Sequence, residues 1–479
     1  MELKRQSIKG AVWTLVDILS NKGAYFFATI ILAKILGPNE FGLIGMITLF
    51  VTLGNVLVDS GMSTSLLRKI DVSQIDYDTV FVSSVMISIL IYVIFFFSAP
   101  FVADFYNEPT LTLVLRYYCL GFVINSFRSI HIIKLMKEMN FKLTTILNFP
   151  GNIISFILAI CLGYFGFGVW SLVFLFLSNQ IISTILFWVY IRWSPSLKFD
   201  LSNFKYHFNF GYKLILSAQL NVLFDNLYNI IIGKFYNVNL LGFYERAFSF
   251  NFYPVSVLST LIQKVSLPSL TLIKGDKVRL QNAYKNIMQV AFLISSSGLA
   301  FFSLFAYELI DTILGEKWLP MVPFFQILSI SFIFYPIHSL NINILSVFGR
   351  SDLFLKLEIV KKTTFFFVIL ISLKFGILGL IWSNVVNSII SLLINTYYSG
   401  KFLNYNTKHQ IIDLLPILGV VLFTLLSLYF LKWATISLNS ILQIIICFIF
   451  GFIVLISSSE LIGLTPYKFI KNLILSRLK

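Results

Sequence analysis

Long apolar stretches recur along nearly the whole chain, separated by short polar connectors. A hydrocarbon core about 30 Å thick takes roughly 20 helical residues to cross. On that measure the sequence predicts about 14 transmembrane helices, over residues 11–35, 41–66, 79–98, 111–130, 145–165, 169–191, 211–232, 240–261, 287–310, 322–348, 363–375, 378–398, 411–431 and 440–461. The eleventh is short, and the eighth is amphipathic. The expected fold class is an all-α integral membrane protein.

Composition points the same way. Of 479 residues, 58% are hydrophobic, 51 are Phe and only 12% are charged, and the mean hydropathy is +0.87. A soluble domain carries about twice that charged fraction. Cys119, Cys161 and Cys447 each sit inside an apolar stretch, which argues against a disulfide framework or a zinc site. His131, His207, His338 and His409 lack metal-ligand spacing. The basic segment 1–9 leads directly into a long first span, so no cleavable signal peptide is expected.

The net charge of +15 becomes informative once it is placed along the chain. With the N-terminus inside, 28 of the 36 Lys and Arg fall on inner segments and 5 on outer ones (Lys34, Lys234, Lys317, Lys374, Lys432), while Lys22, Arg116 and Arg246 lie within spans. Lys and Arg concentrate in cytoplasmic loops. Both termini are therefore expected in the cytoplasm, in a multi-pass membrane protein. The positive charge is a distributed topology signal rather than a patch, so no nucleic acid is expected.

An internal repeat sets the domain organisation. Residues 30–48 (IILAKILGPNEFGLIGMIT) match residues 230–248 (IIIGKFYNVNLLGFYERAF) at a constant offset, with Ile30/Ile230, Ile31/Ile231, Lys34/Lys234, Asn39/Asn239 and Gly42/Gly242 identical. Asn21 and Asn221 keep the same register. A second echo pairs residues 165–171 with 375–383, across a two-residue gap. An even number of spans separates the copies, so both halves share one orientation. The expected architecture is two pseudo-symmetric six-helix lobes around a central cavity, residues 1–200 and 201–405. Residues 406–479 add two helices and a basic tail.

Polar groups inside spans are costly, at roughly 2.5–3.5 kcal/mol each for ionised ones, and usually face a cavity. Asp17 and Asn21 lie four residues apart in span 1, with Lys22 beside them; Asp17 and Lys22 are cavity groups or a mutually neutralising pair. Asn221, Asp225 and Asn229 form an i, i+4, i+8 stripe in span 7, expected to line the cavity. Asp59 in span 2 either faces the cavity or pairs with Arg68. Glu245 and Arg246 in span 8 are cavity groups or a structural pair. Arg116 is expected to snorkel outward, and His338 to pack rather than relay protons. No nucleotide-binding loop, metal cluster or large extramembrane loop is present, so no enzyme activity is expected.

Gly10-Ala11-Val12-Trp13, Leu36-Gly37-Pro38-Asn39-Glu40-Phe41-Gly42-Leu43 and Asp59-Ser60-Gly61 before Arg68-Lys69 resemble the polysaccharide-transporter family of the multidrug/oligosaccharidyl-lipid/polysaccharide superfamily. Ile231-Ile232-Gly233-Lys234, Leu241-Gly242-Phe243-Tyr244-Glu245-Arg246-Ala247 and Leu267-Pro268-Ser269-Leu270 resemble its second-half pattern. Asn237 departs from it, standing where the family usually has glycine. The resemblance implies a flippase for undecaprenyl-diphosphate-linked oligosaccharide repeat units of O-antigen, capsule or exopolysaccharide. It implies a 14-helix, two-lobed fold around a cationic cavity, like that of multidrug and toxin extruders. In that setting Lys22 and Arg246 are the expected diphosphate ligands, and Asp17, Asp59 and Asp225 the expected sites for a coupling H⁺ or Na⁺; no other cofactor is expected. The expected partners are membrane lipids, the lipid-linked substrate, and a polysaccharide polymerase and glycosyltransferases of the same pathway. Two alternatives stand beside this reading: a cation-coupled multidrug antiporter of the same superfamily, and a membrane glycan polymerase or acyltransferase.

Overall fold

The computed structural model describes residues 23, 25–59 and 61–478. Every regular element among them is helical: α1 (Tyr25–Ile35), then α2 (Pro38–Asp59), α3 (Met62–Arg68), α4 (Gln74–Tyr106), α5 (Thr110–Lys137), α6 (Phe141–Tyr164), α7 (Val169–Tyr190), α8 (Leu201–Asp225), α9 (Leu227–Phe235) and α10 (Val238–Leu272). The chain continues through α11 (Lys277–Leu304), α12 (Ala306–Leu314), α13 (Val322–Phe332), α14 (Tyr335–Val347), α15 (Ser351–Ser372), α16 (Gly376–Leu403), α17 (Thr407–Ala434), α18 (Ser440–Ile462) and α19 (Thr465–Leu478).

Among the described residues, 11 helices are long and apolar enough to cross a membrane, or 12 when the bent pair α8–α9 counts as one span. One of the 11, Asp352–Leu403, runs for 52 residues. At 1.5 Å per residue that is about 78 Å of helix, more than twice a bilayer core. It contains both α15 and α16, which pack side by side around the turn at Gly376, where φ is +70°. Only α1 represents the predicted first span, whose earlier part lies outside the described residues. The prediction of 14 is compatible with this inventory.

Burial is inverted relative to a soluble bundle. On α4, Ser83, Ser84 and Ser88 are buried while Met86, Leu90, Phe97 and Phe101 are exposed. On α16, Ser383, Ser388, Asn395, Thr396 and Ser399 are buried while Trp382, Val386, Ile389 and Leu393 are exposed. Lipid accepts the apolar faces, leaving small polar residues to pack and hydrogen-bond between helices. Ser88 donates to Ser126 of α5 at 3.1 Å in this way.

Several helices begin on a side-chain cap. Asn140, Asp200, Asp276 and Asn406 accept from the backbone N–H groups of Leu143, Asn203, Arg279 and His409 at 3.2, 2.7, 3.0 and 3.0 Å, satisfying donors that have no intrahelical partner.

Packing groups the chain into two compact units, Met1–Glu245 and Arg246–Lys479. The first therefore takes in α8, α9 and the opening turns of α10, which the repeat assigns to the second lobe. In the second unit, the buried Tyr284 hydroxyl of α11 lies 2.8 Å from Asn341 Oδ1 of α14 and 3.0 Å from Gln410 Oε1 of α17. Ser399 of α16 donates to the same Asn341 oxygen. The late helices α17 and α18 pack on this core: Gln289 donates to the Asp413 carbonyl at 3.0 Å, and Lys432 pairs with Glu308 at 2.7 Å.

Candidate functional site

The predicted stripe on span 7 meets a break in the helix. Between α8 and α9 the axis bends by 44°. Asn226 sits at the break, buried, and its side chain donates to the Val222 carbonyl at 2.8 Å, the kind of local back-bonding that competes with a continuous ladder. Asn221 and Asp225 stay together on α8, both exposed. Asn229, now on α9, turns into the first unit and donates to the Glu245 carboxylate. Tyr228 and Tyr244 are buried beside it, with ring centroids 5.8 Å apart. The structure thus brings Asn229 and Glu245 together, with Asn221 and Asp225 on the α8 side of the bend.

Next to this bend the two repeat copies touch. An ideal Cβ on Gly42 would lie 1.9 Å from the Val238 carbonyl oxygen, and one on Gly242 would lie 1.9 Å from the Pro38 carbonyl oxygen. Gly42 and Gly242 are repeat equivalents, and so are Pro38 and Val238, the first residues of α2 and α10. Each glycine admits the start of the other copy's helix. Asn237, the departure from the family pattern, accepts from Leu240 N–H at 2.8 Å and so caps α10.

A polar cluster that sequence reasoning missed ties α8 to α3 and α4. The Asp76 carboxylate, fully buried, accepts from Lys69 Nζ at 2.7 and 2.8 Å and from the Ser73 N–H and hydroxyl at 2.9 and 2.8 Å. His207 of α8, also fully buried, places Nε2 at 3.4 Å from Asp76 and Nδ1 at 2.8 Å from Ser65 of α3. The helices approach closely here because an added Cβ on Gly61, whose φ is +62°, would lie 2.6 Å from Gly211 Cα. Asp78 extends the cluster by accepting from Ser196 N–H at 3.0 Å. The signal in sequence was weak: one histidine and two aspartates separated by about 130 residues.

The remaining predicted residues fall as follows. Asp17, Asn21 and Lys22 lie outside the described residues. Asp59 ends α2 and is exposed. It makes no ion pair with Arg68, whose guanidinium instead lies 4.9 Å from the Phe210 ring. Arg246 opens the second unit on α10 and is partly buried. Arg116 donates its Nε to the Phe96 carbonyl at 3.1 Å and sets its guanidinium over the Phe96 ring. His338 lies 3.1 Å from Ser388 of α16.

Comparison with known proteins bears on this geometry. A family model described as "Polysaccharide biosynthesis protein" matches residues 31–323. The teichuronic acid biosynthesis protein TuaB of Bacillus subtilis (strain 168) is 24% identical over 359 residues, covering 73% of each chain. The lipopolysaccharide biosynthesis protein WzxC of Escherichia coli (strain K12) is 22% identical over 405 residues, covering 82% of each. Among solved structures, the lipid II flippase MurJ in an inward closed conformation shares the fold with a TM-score of 0.76, covering 98% of this chain and 100% of that one at 14% identity.

Proposed function

The chain belongs to this family of polysaccharide biosynthesis proteins, and from that membership we propose that it carries undecaprenyl-diphosphate-linked oligosaccharide repeat units across the bacterial inner membrane, from the cytoplasmic to the periplasmic leaflet. It is a transporter and not an enzyme. The observation that carries this reading is the family match together with relatives named for cell-surface polysaccharides over most of their length. The problem such a protein solves is desolvation. Each unpaired hydroxyl of a glycan costs several kcal/mol in hydrocarbon, so the headgroup needs a polar path while the polyprenyl tail stays in lipid.

Both termini lie in the cytoplasm on this reading, consistent with the Lys/Arg distribution. Lys22 and Arg246 supply cations to the diphosphate. Asp17, Asp59 and Asp225 are the sites through which H⁺ or Na⁺ drives the cycle. The membrane potential helps as well, since outward movement of a negative charge is downhill by about 2.3 kcal/mol per 100 mV. A polymerase and glycosyltransferases of the same pathway consume and supply the substrate.

The test is complementation in a bacterium lacking its own flippase, reading surface glycan and inner-leaflet lipid-linked intermediate together. Lys22→Ala and Arg246→Ala should each block export with protein abundance unchanged. Full export by the Lys22→Ala, Arg246→Ala double variant would remove the cationic path, and failure of the unaltered chain to restore any glycan would remove the function.

A further inference from the structure

One partly buried cation has no place in the reading above. Arg128 stands on α5, and the helix runs nine residues further to Lys137, about 13 Å along the axis. Its partners confirm the depth. One terminal nitrogen donates to Asn125 Oδ1 at 3.1 Å and to Gln180 Oε1 of α7 at 3.0 Å. Gln180 is the twelfth residue of the 22-residue α7, a helix about 33 Å long that matches a bilayer core. The guanidinium is therefore at mid-span, too deep to snorkel to either surface. Beside it, Asn179 donates to Asn152 at 2.7 Å, and Asn152 is the twelfth of the 24 residues of α6. Amides on three helices thus meet at one level.

The electrostatics are incomplete. Among the described residues no carboxylate lies within ion-pair distance of Arg128. Its Nε is buried and has no hydrogen-bond partner, and the Phe187 ring lies 5.9 Å away. A mid-span arginine held only by neutral amides is expensive and normally marks a ligand path. Amide oxygens can aim a guanidinium, but they do not neutralise it; an anion with two oxygens does both.

We propose that Arg128, aimed by Asn125 and Gln180, is an anion site that engages the phosphate of a lipid-linked headgroup in transit. This rests on the flippase reading and adds a site to it. Depth selects the ligand: the phosphates of resident phospholipids lie at the interface, half a bilayer away, whereas a headgroup being moved across passes the middle.

The test compares binding of undecaprenyl diphosphate and of phosphatidylglycerol to the purified full-length chain by native mass spectrometry, alongside export. Arg128→Gln should weaken undecaprenyl diphosphate binding about tenfold or more, the scale of a lost charge-assisted contact. Arg128→Lys should lose less, because the charge remains but the fork is gone. Gln180→Glu separates ligand from scaffold: it gives Arg128 an ion pair, strengthening any structural role, yet it fills the anion's place and should abolish binding in a folded protein. Normal undecaprenyl diphosphate binding by Gln180→Glu or Arg128→Gln, with the parent exporting glycan, overturns the site and leaves the function standing. An equal loss for phosphatidylglycerol overturns the assignment to a headgroup in transit. A parent that neither binds undecaprenyl diphosphate nor exports glycan instead removes the flippase reading itself.

Discussion

The reciprocal contact between the repeat copies yields a quantitative expectation. Introducing Ala at position 42 would set a Cβ 1.9 Å from the Val238 carbonyl oxygen and 2.8 Å from the Val238 carbonyl carbon. A carbon normally stays about 3.3 Å or more from such an oxygen, so the start of α10 must retreat by about 1.4 Å. The obstacle is backbone rather than the end of a flexible side chain. The cost therefore belongs at the upper end of the overpacking range, about 3 kcal/mol. Gly242→Ala meets the Pro38 carbonyl at the same 1.9 Å and should cost the same. The double variant is the informative one. Once the two helix starts have parted by about 1.4 Å to admit the first methyl, the second already has its clearance. The double variant should then cost about 3 kcal/mol rather than about 6, a coupling of about 3 kcal/mol between residues 200 apart in sequence. Unfolding in mixed micelles, titrated with a denaturing detergent and followed by tryptophan fluorescence, measures all four corners of the cycle. Additive losses, or one silent glycine, would refute the reciprocal geometry.

Three further outcomes are expected. Asp76→Ala should destabilise the first unit by about 3 kcal/mol in the same titration, the lower end for breaking a buried pair because the Lys69 side chain is 29% exposed; Asp352→Ala, which breaks the exposed Arg350–Asp352 pair, should leave the midpoint nearly unchanged, and equal effects would discount the cluster. Tyr284→Phe keeps the ring and leaves Gln410 short of a donor, so a loss of about 1–2 kcal/mol is expected, and an unchanged midpoint would show that the hydroxyl is dispensable. Asp225→Asn should uncouple glycan export from imposed pH or Na⁺ gradients while slow flipping continues; a variant with the parent's dependence on both gradients would make Asp225 a structural residue.

What this chain discloses without its fold is whatever depends on a one-dimensional pattern. Hydrophobic length, Lys/Arg asymmetry and the 200-residue offset are readable along the sequence, because a bilayer imposes the same thickness on every span. They yielded the membrane class, a span count compatible with the structure, and the repeat equivalence of Gly42 with Gly242. The family emerged from short motifs in combination. The break at Asn226 was hidden, because a bend depends on which carbonyl the amide chooses and on what packs around it; a periodic stripe assumes a straight helix. Asn229 consequently turned to Glu245. Arg128 was counted with the basic inner edge of its span, since hydropathy records where a residue sits along a helix but not how deep its partner lies on the next one. Asp76 and His207 were invisible for the same reason. Burial and hydrogen bonding between helices are properties of their packing, and only the tertiary structure assigns each polar group its neighbour.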